Sequence, residues 1–210
     1  MELNNITKKY GDNLILDNIS YNFGDNEITV ILGESGVGKT TLLNIILGVT
    51  EFDGEIKNKG KMSCVYQNDR LIPNLSVKDN LLLINKNINV DSELNKFDLL
   101  ESKNMLPSSL SAGMSRRVAI LRAMNYPCDI LLMDEPLRNL DYAMKYKIMD
   151  EIKSYHKGNK NAIIIVTHDI DEAVYLANKI IILKDKKIAK EISKISENTK
   201  EEILQFLLNK

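Results

Sequence analysis

The run Gly33-Glu34-Ser35-Gly36-Val37-Gly38-Lys39-Thr40-Thr41 restricts the fold more than any other stretch of the chain. It follows the apolar segment ITVIL, residues 28–32, which is short and β-branched and reads as a buried strand. It leads into TTLLNIIL, which reads as a helix. Three glycines in such a strand-to-helix turn let the backbone aim several N–H groups at one point, where the positive end of the helix dipole also lies. That point suits an anion, and a polyphosphate best of all. In this reading the backbone from Gly33 through Gly38 wraps the phosphates. Lys39 reaches the β- and γ-phosphates, and the Thr40 hydroxyl holds Mg²⁺. An ordinary glycine-rich turn has a similar composition, but the flanking strand and helix favour a nucleotide.

The rest of the chain extends this pattern. Residues 1–32 contain short alternating or apolar stretches broken by YGDN and FGDNE, which predict strands joined by turns. MSCVYQ (62–67), DILLMDEP (129–136) and NAIIIVTHD (161–169) each predict a further strand, and a helix lies around 141–157. Residues 68–128 have helical periodicity and read as an inserted helical subdomain. KIIILKDKKIAKEI predicts a strand hairpin, and TKEEILQFLLNK an amphipathic helix opened by a capping box from Thr199 to Glu202. Strands alternating with helices predict an α/β fold with a mainly parallel core sheet. The 210 residues suffice for one domain spanning 1–210.

Composition narrows the function. A net charge of −1 gives no basic footprint for nucleic acid. Cys64 and Cys128 are far apart in sequence, as in a reducing compartment. With only two histidines, the sequence has no Cys/His cluster at metal-ligand spacing. The N-terminal residues have no apolar core of a signal peptide, and no apolar run approaches the roughly 20 residues that span a bilayer. Contact with a membrane is therefore expected through a partner.

Four further elements carry chemistry. ILLMDE buries a strand and leaves Asp134 and Glu135 at its C-terminal edge, where open α/β sheets bind ligands. Asp134 is placed to hold Mg²⁺ through water and Glu135 to polarise the attacking water. His168, after IIIVT, is either a neutral imidazole bonded to the γ-phosphate or attacking water, or a polar strand end. Gln67 is either a side chain that touches metal and water or a plain surface amide. Leu110-Ser111-Ala112-Gly113 opens a helix with a serine in the capping region, and the N–H groups of that helix start offer a second anion site. Such a site becomes useful to a phosphate loop when a second copy brings it across.

Over nearly its whole length the chain resembles the ATP-binding subunit of an ABC transporter. GESGVGKT stands as Walker A, Gln67 as the Q-loop, LSAGM as the signature, ILLMDE as Walker B, Asn139-Leu140-Asp141 as the D-loop and His168 as the switch histidine. The resemblance implies a RecA-like P-loop core with an N-terminal antiparallel β subdomain and the helical insertion at approximately 68–128. It implies ATP hydrolysis with Mg²⁺ held through Thr40, Gln67 and Asp134, and catalysis by Lys39, Gln67, Glu135 and His168. Glu34, Ser35, Val37 and Thr41 join the glycines around the nucleotide, and Tyr10 stacks on the adenine. Ser111 and Gly113 grip the γ-phosphate of ATP bound to the opposite subunit, and Asp141 couples the two sites of a homodimer or paralogue dimer.

The run QNDRLIPNLSV (67–77) is similar to nitrate, sulfonate and taurine-type importers. It implies a permease groove lined by Asp69, Arg70, Leu71 and Pro73. It further implies an extracytoplasmic binding protein in the same system, and a cytoplasmic subunit peripheral on the inner face of the membrane. The competing readings are the motor of an exporter or lipid/lipoprotein-extraction complex, and an ABC-type switch on nucleic acid or ribosomes. Two positions depart from the family pattern. Ala112 stands where glycine is usual and pays a penalty if that position needs positive φ. Arg138 stands where a small residue is common, near the expected subunit interface.

Overall fold

The computed structural model describes residues 1–208. Strand β3 (Ile28–Leu32) lies inside a six-stranded sheet. Its neighbours are β7 (Ala162–Thr167) and β8 (Lys179–Lys184), both parallel to it. Outside β7 come β6 (Ile130–Asp134) and β5 (Met62–Val65), also parallel. Beyond β8, β9 (Lys187–Ile192) closes the edge as an antiparallel hairpin, as the sequence predicts. A second sheet, in the order β2-β1-β4, is antiparallel; it consists of β1 (Glu2–Tyr10), β2 (Asn13–Asn22) and β4 (Asp53–Lys57).

The two-residue period of the strands splits the core into two layers. Val30, Leu32, Leu131, Met133, Ile163 and Ile165 face one way, and Ile31, Leu132, Ile164 and Val166 the other. The second face packs on helix α1 (Lys39–Leu47) through Leu42, Leu43, Ile45 and Ile46. That helix is sandwiched against the antiparallel sheet by Leu3, Ile6, Leu16 and Phe23. The phosphate-loop candidate is thus fixed at both ends, by a central strand and by a helix buried between two sheets.

The first face carries the remaining helices. Within the insertion these are α2 (Val77–Leu82), α3 (Val90–Lys96) and α4 (Ala112–Met124). The others are α5 (Tyr142–Asn159), α6 (Ile170–Leu176) and α7 (Thr199–Leu208). The six residues of α2 are too few to hold a helix alone. Its Ser76 cap accepts from the Asp79 N–H, and the buried Asn80 amide donates to the Ile72, Leu75 and Ser76 carbonyls. Those bonds fix the segment leading into α2.

The capping box expected from Thr199 to Glu202 does not form. Thr199 is buried as the first residue of α7, and its hydroxyl accepts from the Ser196 N–H. Glu202 pairs instead with Lys190 on β9 at 2.8 Å. Among the described residues no helix is long and apolar enough to cross a membrane.

Candidate functional site

The C-terminal ends of β3, β6 and β7 converge beside the phosphate loop. Gly36 and Gly38 adopt φ of 83° and 109°, which side chains rarely tolerate. A Cβ at Gly38 would also approach Leu16 Cδ2 to 2.8 Å, so the loop has no room for one. These two residues let the chain turn straight into α1, whose first residue is Lys39. The Lys39 ammonium donates to the Gly33 and Glu34 carbonyls, each at 2.8 Å, which aims it into the curl of its own loop.

Thr40, one residue on, meets β6. Its Oγ1 lies 3.0 and 3.2 Å from the two Asp134 oxygens and donates to that carboxylate. Asp134 is 3% exposed. Burial raises its pKa above the ordinary carboxylate value, and the Thr40 hydrogen bond opposes the shift. Burial likewise lowers the Lys39 pKa, against the pull of Glu135 and Asp134. Both ions are therefore held at a desolvation cost that ligands of opposite charge would relieve.

The hydroxyl and carboxylate oxygens are hard donors of the type Mg²⁺ prefers. Among the described residues no cluster of three or more His, Cys, Asp or Glu could hold a metal by itself. The residues present fit Mg²⁺ in its usual manner, with one or two protein oxygens and the remainder from phosphate and water.

The Glu135 and His168 side chains meet because of strand register. Asp134 on β6 pairs with Val166 on the parallel β7, so the residues beyond them emerge side by side. The Glu135 backbone is left-handed, with φ of 48°, and its N–H donates to the Val166 carbonyl at 2.9 Å. The carboxylate lies 2.9 and 3.0 Å from His168 Nδ1. An ionised carboxylate only accepts, so Nδ1 carries the hydrogen. In the neutral ring Nε2 is then an acceptor, suited to a water O–H. Only the imidazolium can donate from Nε2 to a phosphate oxygen.

Gln67 lies in the loop two residues past β5, rather than ending the strand. With Ile15, Ser35, Gly36, Gly38, Lys39, Thr40, Thr41 and Glu135 it lines a cavity of about 250 Å³. A larger cavity, of about 720 Å³, opens between Lys61, Phe97 and Tyr155 near the N-terminal ends of β5 and β6. No phosphate-loop residue lines it. Volume alone therefore does not mark the chemistry.

Other predicted residues stand apart from this cavity. Tyr10 is 53% exposed at the end of β1, with Lys8 Nζ 4.7 Å from its ring centre. Ser111 caps α4, accepting from the Met114 N–H at 3.2 Å. Gly113 packs on the 139–141 loop, where a Cβ would lie 3.1 Å from the Asn139 carbonyl. Asp141 caps α5, accepting from the Met144 N–H at 3.0 Å. Ala112 is the exposed first residue of α4 and is absent from the positive-φ positions, so the penalty expected there does not arise. Arg138 is exposed.

Asp69 is half-buried, with its carboxylate 3.0 Å from Arg116. Arg70 stays outside, its guanidinium 3.8 Å from the Tyr66 ring centre, and Pro73 is exposed beside it. Arg116 itself, 2% exposed, is the polar residue that the motif reading missed.

Comparison with known proteins shows the family and the fold. The family described as ABC transporter matches residues 16–138. The aliphatic sulfonates import ATP-binding protein SsuB of Bacillus subtilis is 36% identical over 189 residues, covering 83% of this chain and 74% of that protein. The Fe(3+) ions import ATP-binding protein FbpC of Fusobacterium nucleatum is 34% identical, covering 90% of this chain and 56% of the relative. This chain thus spans little more than half the length of that relative. Among solved structures, the dimeric post-hydrolysis state of the ATP-binding cassette MJ0796 bound to ADP and Pi superposes with a TM-score of 0.80. It is 31% identical, and the match covers 91% of this chain and 97% of that one.

Proposed function

This chain belongs to the ABC transporter family, and on that premise we propose that it is the ATP-hydrolysing motor of an importer for a small anion or related nutrient. The observation that carries the site assignment is the convergence of three strand ends. Lys39 and Thr40 open α1 after the β3 loop, Asp134 ends β6 with Glu135 just beyond it, and His168 is the residue after β7. Lys39 binds the β- and γ-phosphates, and the loop N–H groups complete the cradle. Thr40 and Asp134, with Gln67, would hold Mg²⁺, and the chemistry that ion would supply is charge neutralisation at the phosphates. Glu135 orients the attacking water and accepts its proton at the carboxylate. His168 fixes that carboxylate through Nδ1–H and presents Nε2 toward the same water. Closing the site excludes bulk water from it.

The cavity of about 250 Å³ falls below the roughly 300–1,000 Å³ of a complete small-molecule site. Half of a shared site has this property. A second copy, or a paralogue, supplies Ser111 and Gly113 to the γ-phosphate, with Asp141 at the seam and Tyr10 against the adenine. Permease subunits dock beside Arg70, Leu71 and Pro73 and hold the chain to the inner face of the membrane. An extracytoplasmic binding protein delivers the substrate. The described residues constitute a single ATP-binding domain with its helical insertion at approximately 68–128.

The test is the solution mass of Glu135→Gln with and without ATP–Mg²⁺. The expected result is retained ATP binding, turnover reduced about 10²- to 10⁴-fold, and a nucleotide-dependent shift from monomer to dimer. Turnover at the parental rate would remove Glu135 from its role. ATP binding without a mass shift would replace self-pairing by pairing with a different chain.

A further inference from the structure

Arg116 lies on α4, five residues after the Ser111 cap, and it enters none of the assigned motifs. All five of its N–H donors are used. Nε donates to the Pro136 carbonyl at 2.9 Å. Nη2 donates to the carbonyls of Asp134 at 2.5 Å and Glu135 at 2.7 Å. Nη1 donates to the Tyr66 carbonyl at 2.5 Å and to Asp69 Oδ1 at 3.0 Å. One guanidinium therefore gathers three consecutive carbonyls of the Glu135 loop on one edge and both flanks of Gln67 on the other.

The geometry points to Arg116 as a positioning residue that holds the Glu135 carboxylate in register and locks the Gln67 loop to it, so that both loops follow helix α4. This inference rests on the roles proposed above for Glu135 and Gln67.

Three physical points support it. Glu135 has φ of 48°, a backbone that a non-glycine residue keeps only where its surroundings over-determine it. Convergence of the carbonyls of residues 134, 135 and 136 on one buried cation supplies that constraint, together with the Arg138 N–H that donates to the Glu135 carbonyl at 3.2 Å. The planar five-donor fork is what spans the two loops. A lysine has three donors at a single point and cannot reach both. Finally, α4 is continuous from Ala112 to Met124, so the helix start and the Arg116 fork move as one body. Arg122 adds a second grip from the same helix, donating to the Asp69 and Arg70 carbonyls at 3.2 and 2.9 Å. A nucleotide gripped at Ser111 is thereby linked to Glu135 through a rigid helix and one side chain.

The experiment is Arg116→Lys, assayed alone and in the Glu135→Gln background. The single variant should keep its KM for ATP within about threefold and lose kcat by about 10- to 100-fold, as misplacement of a reacting group does. In the Glu135→Gln background the same change should alter the residual rate less than about twofold, because the group it positions is already gone. An equal kcat loss in both backgrounds, or a loss borne by KM, overturns the inference.

Hydrogen exchange supplies an arm independent of turnover. Segments 64–71 and 132–139 should both exchange faster in Arg116→Lys, and loosening of one segment alone overturns the lock. If the parent protein shows no turnover, the proposed site roles fail, and the exchange result still decides the lock. Should Arg116→Lys fold poorly, Asp69→Ala removes one arm from a part-exposed position. It must then lower kcat about three- to tenfold at unchanged KM, and an unchanged kcat overturns the inference.

Discussion

Replacing Thr40 by Val removes a single hydroxyl at nearly constant shape, and its effect should depend on pH. In the parent protein that hydroxyl donates to a carboxylate that is 3% exposed. A hydrogen bond to a charged group contributes roughly 1.5–3 kcal/mol, and Thr40 itself faces solvent, so the low end of about 1.5 kcal/mol applies. For a chain of this size each kcal/mol moves Tm by about 2–4 °C, giving an expected fall of about 3–6 °C near neutral pH.

The sign with pH follows from Asp134. Burial dominates and raises its pKa, so ionising it costs the fold stability as pH rises through that raised value. Thr40 reduces this cost because it bonds best to the ionised form. Without the hydroxyl the pKa rises further, and the variant loses more stability than the parent as the pH rises. The Tm gap is therefore full near neutral pH and narrows as the pH falls into the range where Asp134 protonates, above the ordinary 3.8. There the remaining bond in the parent is a neutral one, about half as strong. Thermal melts at about pH 7.5 and pH 4.5 test this linkage, with Thr40→Ser as the variant that restores the hydroxyl. A gap of equal size at both pH values, or no gap at either, refutes the argument. In ATPase assays Thr40→Val should also lose most of its Mg²⁺-dependent turnover, whereas Thr40→Ser should retain it.

Ala112→Gly restores the family's usual glycine and should gain nothing, because position 112 has no left-handed backbone to relieve. Turnover should stay within about twofold while the urea midpoint falls, with at most about 0.5–1 kcal/mol lost to added unfolded-state freedom; a tenfold gain in turnover would contradict the structure. Cys64 provides a second pH-linked test, since burial, and then Asp134, push its thiol up to about 12. Three units above its ordinary 9.0 should make its alkylation near neutral pH about 10³-fold slower than that of a free thiol, with normal reactivity returning in denaturant. Rapid labelling of folded protein, followed by mass spectrometry, would refute that environment.

The phosphate loop was legible because its composition follows from backbone demands: glycine where φ is positive, and lysine at the first helical residue. The core strands were legible because ITVIL, ILLMD and AIIIVT carry too much β-branched and apolar surface to lie outside. The pairing of Glu135 with His168 was less accessible. It depends on the Asp134–Val166 register between two strands some 30 residues apart in sequence, and a one-residue slip would turn every strand side chain to the other face. Thr199 misled because its hydroxyl accepts from Ser196, in the turn leading into its helix, rather than from the turn inside it. Arg116 did leave a trace. Positions 116, 119, 120 and 123 share a helical face, and the other three are apolar, so a charge among them demanded buried partners. Which partners depended on the ends of β5 and β6 arriving beside it.

Ser111 and Asp141 show why capping and function are not alternatives. Each uses one oxygen on its own helix: Ser111 Oγ accepts from Met114, and Asp141 Oδ1 accepts from Met144. A serine hydroxyl that accepts still has its hydrogen to donate, and a carboxylate has a second oxygen. Capping also freezes the side chain, so less rotamer freedom is lost when a second partner arrives. A helix start that is already capped and solvent-exposed is therefore a better phosphate grip than an uncapped one. Its sequence signature is nonetheless the same as that of any capped helix, and only its approach to the phosphate loop of another chain separates the two.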